Sequence, residues 1–123
     1  MKIVARMLVL FVALEHLGFL VLEMFFWTEP AGLQVFGLSR EFALQSASLA
    51  ANQGLYNGFL AAGLFWSQLN RPDAYAKTLF FLGCVVTAGV FGAATASSSI
   101  LFVQAVPASV AMLCVYLANR QEA

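Results

Sequence analysis

Charge is scarce in this sequence. Six Lys or Arg, six Asp or Glu and one His are spread over 123 residues, so 10% of the chain is charged, against about 25% in soluble domains. The formal net charge is zero, which gives no basic footprint for nucleic acid, and none is expected as a partner. Cysteine is nearly absent as well. Cys84 and Cys114 lie in apolar runs with no CxxC or Cys/His spacing, so neither a disulfide framework nor a zinc set is expected, and both read as structural thiols. A glycine-rich phosphate loop, a serine nucleophile motif and a dinucleotide fingerprint are all missing, and no cofactor is expected.

What remains is apolar: 62% of the residues are hydrophobic. Four stretches, 4–26, 45–66, 76–96 and 99–118, reach the ~20 apolar residues that a helix needs to cross a hydrocarbon core. The expected fold is therefore all-α, a polytopic four-transmembrane-helix bundle forming a single transmembrane domain over 1–123. The first stretch has Lys2 and Arg6 ahead of an apolar run, as a secretory signal does. Its apolar part is longer than a signal core, however, and bulky Phe25, Phe26 and Trp27 replace the small residues of a cleavage site, so a retained helix is expected.

Orientation follows from the basic residues, which stay on the cytoplasmic side of short loops. Lys2, Arg6, Arg71, Lys77 and Arg120 fall on one side of a four-span topology and Arg40 alone on the other. Both termini are expected in the cytoplasm.

Between the first two spans, "TEPAG" breaks the helix, because Pro30 disfavours helical backbone at the residue before it and Gly32 loosens the residues after it. "LQVFGLSREFAL" then mixes apolar and polar residues in a way that suits either a short segment on the membrane surface or an ordinary loop. In "QLNRPDAY", Pro72 and Asp73 can start the third helix. Helices in lipid associate through small residues. Ala50, Gly54, Gly58 and Ala62 recur at intervals of four, as do Ala88, Gly92 and Ala96, and both stripes are expected to face other helices, of the same chain or of another copy.

The polar residues inside these apolar runs stand out. His16 and Glu23 are seven apart, a separation at which a straight helix drifts only ~20°, and Trp27 continues their stripe. Glu15 points about 100° away from His16. A charged group at mid-bilayer costs at least ~2.5–3.5 kcal/mol, so partners are required. "NQGLYNG" supplies them as two ridges, Asn52 with Tyr56 and Gln53 with Asn57, each four apart. His16 is expected at the depth of Tyr56 and Asn57, with Glu23 nearer Asn52 and Gln53. Gln104 adds an amide in the last helix, where Pro107 leaves a carbonyl without its helical donor. These groups are the candidates for ligand binding or proton exchange. One imidazole falls short of the usual metal-ligand sets, so no metal is expected.

"EHLGFLVLEMFFW" followed by "NQGLYNGFLAAGL", with "VQAVPA" in the last helix, resembles the signature of a family of small bacterial integral membrane proteins, number thirteen-oh-four among the domains of unknown function. The resemblance covers essentially the whole chain, and NQGxYNG is its most specific element. It implies a four-helix protein of the bacterial cytoplasmic (inner) membrane and site residues among those just named, without supplying a reaction.

Three functions fit these residues. In one, a small solute binds between helices or is transported, with a proton gained or lost at the His16/Glu23 pair. In another, the pair serves as acid and base of a cofactor-independent, isomerase-like membrane enzyme acting on a lipophilic substrate. In the third, a structural accessory subunit uses its polar groups only to lock packing. The lipid bilayer is an expected partner in all three, with an unidentified small or lipophilic ligand in the first two and a homo-oligomer plausible in the first and third.

Overall fold

A computed structural model describes residues 2–69 and 71–121. Among these the chain is all helical: α1 (Lys2–Phe25), α2 (Pro30–Phe36), α3 (Arg40–Ser67), α4 (Ala74–Thr95), a π-helical stretch (Leu101–Ala105) and α5 (Val106–Arg120), which continues directly from it. Three helical rods, Lys2–Phe25, Ala74–Thr95 and Leu101–Arg120, are long and apolar enough to cross a membrane. The expected second span corresponds to α3, which has 28 residues. Its length would suffice, but it is not among the rods with a sufficiently apolar window. Asn52, Gln53, Asn57 and several serines dilute it.

The elements begin and end for local reasons. Pro30 is the first residue of α2, where its missing N–H costs nothing, and Glu29 before it is extended, at φ −87° and ψ 158°. The short mixed segment of the first loop is thus a true helix over Pro30–Phe36. Gly37 ends it in the left-handed conformation, φ 64°, and the Leu38 N–H closes on the Leu33 carbonyl at 2.9 Å. Gly37→Ala is expected to lower stability by about 1 kcal/mol, measurable as a shift in the unfolding midpoint in bicelles. α3 starts at Arg40 rather than 45, because the Ser39 hydroxyl accepts the Phe42 N–H at 3.2 Å and so caps the first turn.

Asp73 precedes α4 but does not cap it with its side chain. Its carboxylate instead pairs with Lys77 one turn on, at 2.8 Å, and this contact pulls the exposed Asp73 carboxyl below its ordinary value. The Lys77 ammonium also lies 4.1 Å from the centroid of the Trp66 ring. Asn70, in the same loop, lies outside the described residues.

Burial along the long helices follows one rhythm. Ala5, Val9, Val12 and His16 are buried on α1, Ala50, Gly54, Asn57 and Ala61 on α3, and Thr78, Leu82, Val85 and Gly89 on α4. Each set runs i, i+4, i+7, i+11, which holds one face of a 3.6-residue helix. A strict interval of four advances by ~40° at every step and leaves that face. Ala62, Ala88 and Ala96, expected on packed stripes, are accordingly exposed.

The chain groups into two compact units, 1–13 with 62–123, and 14–61. In the first, α4 packs on the π-helical stretch and α5. A Cβ on Gly89 would come within 2.7 Å of the Ala105 backbone nitrogen, one on Gly92 within 3.1 Å of Ile100, and one on Gly63 would strike the Phe81 ring. Pro107 cannot donate to a carbonyl one turn back. The preceding turn is widened, with the Val106 N–H bonded to the Leu101 carbonyl five residues away. Cys84 and Cys114 belong to this unit and are free and half-buried.

In the second unit, the C-terminal half of α1 lies against α3. A Cβ on Gly54 would meet Met24 Cγ at 2.8 Å, Glu23 Cβ at 3.0 Å and the Leu20 carbonyl oxygen at 3.2 Å; one on Gly58 would strike the Leu20 side chain. These glycines permit the two backbones to approach closely. Gly32 does the same for α2, since a Cβ there would overlap the Phe26 carbonyl.

Candidate functional site

The close approach at Gly54 and Gly58 sets the site geometry. It carries Glu23 toward the one amide on the packed face of α3, and the Asn57 Nδ2–H donates to a Glu23 carboxylate oxygen at 2.7 Å. Asn57 is 3% exposed and Glu23 half-buried. A bond this short between a carboxyl group and a buried amide is stronger than the same contact in water, where both groups have competing partners.

His16 is 1% exposed and ends the buried stripe of α1. Its ring meets Phe19 edge to face, with centroids 5.6 Å apart. Glu23 continues the same stripe two turns further on, so the imidazole and the carboxyl group share a face as their spacing requires. Glu15, one residue round the helix, is half-buried. Its Oε2 atom is buried with no hydrogen-bond partner among the described residues, an arrangement that costs about 1–3 kcal/mol.

Trp27 is fastened at the end of α1. Its indole N–H donates to Ser46 Oγ at 3.1 Å, the Ser46 hydroxyl donates to the Phe42 carbonyl at 2.7 Å, and the indole lies 4.9 Å from the Phe36 ring. The side chain ties α1 to α2 and α3. Ser46 has no individual mark in the sequence; its four-residue spacing from Phe42, which allows the backbone bond, is the only available sign.

The remaining candidates are not drawn in. Asn52, Gln53 and Tyr56 are exposed, with Tyr56 stacked edge to face on Phe59 at 6.0 Å. Only Asn57, of the four residues in the two ridges, reaches the α1 carboxyl group. Glu23 lies level with Gly54, next to Gln53 in depth as expected, but Asn52 and Gln53 are on other faces of α3 and the carboxyl group bonds Asn57 one turn along. Gln104 is half-buried in the π-helical stretch of the other unit.

An all-helical chain with three rods suited to a bilayer, carrying a bonded carboxyl–amide pair and a buried imidazole, has the character of a membrane protein. Residues 10–116 match the family described as protein of unknown function DUF1304, and the chain belongs to that family. It is also similar to the uncharacterized protein YpaA of Lactococcus lactis subsp. lactis strain IL1403, with 27% identity over 106 residues that cover 85% of this chain and 89% of that protein. No solved structure matches the chain.

Proposed function

We propose that this protein binds or transports a small solute in the bacterial inner membrane, with proton exchange at a site formed by His16, Glu23 and Asn57. The carrying observation is the 2.7 Å bond from Asn57 to Glu23. An ionisable group within an apolar helix, bonded to an amide on the packed face of its neighbour, points to a functional site by default, because retaining it in lipid is costly. The carboxyl group can lose or accept a proton while Asn57 holds its position, and His16 lies on the same face to share the exchange.

In this reading α3 is the fourth crossing. At ~1.5 Å per residue its 28 residues reach about 42 Å, more than the ~30 Å hydrocarbon core. Five basic residues against Arg40 put both termini in the cytoplasm. A strong bias of this kind favours a single insertion orientation.

The test uses full-length protein in proteoliposomes, with a panel of small organic cations, anions and neutral solutes, and a lumenal pH dye as reporter. For at least one solute class, uptake is expected to vary with pH around neutrality and to move the dye. Glu23→Gln keeps the shape of the side chain but cannot ionise, and should remove the pH dependence. Unaltered pH dependence in that variant, or effects of Glu23 and Asn57 substitutions on stability alone, would overturn the reading in favour of a packing role.

A further inference from the structure

The other unit contains a cleft of about 470 Å³, formed by the start of α1, the end of α3, the start of α4 and the end of α5. We infer that it binds a phosphate-bearing anion, with Arg6 as the principal cation. The volume falls within the ~300–1,000 Å³ of small-molecule sites, enough for a phosphate ester and more than a single ion requires. Two cationic side chains, Lys2 and Arg6, line it together with Tyr75 and Asn119, and no Asp or Glu lines it among the described residues.

Arg6 makes no ion pair among the described residues. Its planar guanidinium is suited to two parallel hydrogen bonds with phosphate oxygens. The Tyr75 hydroxyl and Asn119 amide supply neutral donors on the same lining.

The polar floor is held in place internally. The Ser67 hydroxyl donates to the Leu64 carbonyl at 2.7 Å and the Thr78 hydroxyl to the Ala74 carbonyl at 2.8 Å. The Gln68 amide N–H group spans both hydroxyl oxygens, at 2.9 Å and 3.5 Å. These bonds link the two hydroxyl groups and the Gln68 amide nitrogen into one network. Apolar Val9 and Val115 form part of the remaining wall, giving acyl chains a surface if the phosphate belongs to a lipid. A basic pocket at the end of membrane helices is the arrangement that takes anionic headgroups.

Detergent-solubilised full-length protein should be examined by native mass spectrometry with phosphatidylglycerol, with phosphatidylcholine and with inorganic phosphate. For a lipid source, one phosphatidylglycerol is retained in preference to phosphatidylcholine, and Arg6→Gln lowers that retention by roughly fivefold, the effect of one cation at an anionic surface, while Arg6→Lys restores most of it. For a free-phosphate source, inorganic phosphate is retained and Arg6→Gln loses it. Circular dichroism checks that the variants remain helical, and Asn119→Leu at an exposed position gives a second, smaller loss. Equal retention of both lipids with no bound phosphate, or wild-type retention by Arg6→Gln, would overturn the inference. Neither result depends on the His16/Glu23 site.

Discussion

Gly54→Leu is expected to destabilise the protein by about 1–3 kcal/mol or more, the usual cost of forcing bulk into a packed contact. Two of the three atoms nearest a new Cβ cannot swing away, because the Leu20 carbonyl oxygen and Glu23 Cβ belong to or adjoin the α1 backbone. α1 and α3 would have to separate, and the Glu23–Asn57 bond one turn away would lengthen with them. Gly18 and Gly83 provide the control, since a Cβ on either meets nothing within 4 Å. Leucine at those positions should be neutral or stabilising by up to ~1 kcal/mol, the propensity gained when glycine leaves a helix interior. Unfolding in bicelles, followed by tryptophan fluorescence, checks the contrast. Equal losses at all three positions would show that close approach is not what Gly54 provides.

Asn57→Leu should cost about 1–3 kcal/mol, because it leaves the half-buried Glu23 carboxyl group without its amide donor. Glu23→Leu alone strands the buried Asn57 amide in the same way. The double substitution should cost less than the sum of the two, since apolar groups replace both partners together. In membranes the coupling of such pairs averages ~0.6 kcal/mol and reaches ~1.7 kcal/mol, and a contact of 2.7 Å belongs at the upper end. A full double-mutant cycle measured by reversible unfolding decides the matter; strict additivity would mean that the bond contributes nothing.

The rods were legible in the sequence because apolar length determines them. All three lie within two residues of their expected limits, and the last differs in kind only at its π-helical start. The stripe through Gly54 and Gly58 was legible too, since small residues at near-helical spacing mark close approach. What failed was the phase. A fixed interval of four puts Ala62, Ala88 and Ala96 on packed faces, where the 3.6-residue period does not keep them. The same error of phase groups Asn52, Gln53 and Tyr56 with Asn57. Asn57 points inward because it lies three residues beyond Gly54, on the face buried by Ala50 and Ala61.

The cleft beside Arg6 was not legible in the sequence. Its lining is drawn from both ends of the chain and from the α3–α4 turn, and no local pattern relates residues so far apart. Ser39, by contrast, carries a local signal: it stands three residues ahead of Phe42 as a cap, and apolar length alone, which ignores caps, starts α3 too late.

The π-helical stretch has a further effect on the last rod. A turn that holds about one residue more than an α-turn offsets everything beyond it by roughly 100° relative to a uniform helix. A projection drawn at constant pitch from Leu101 to Arg120 therefore misplaces the residues beyond the widened turn by a little over a quarter of the circumference. Ala105 reaches Gly89 at the close of that turn, and the buried Ala108, Ala111 and Ala118 of α5 take their bearing from it, much as a single-base insertion changes the reading frame downstream.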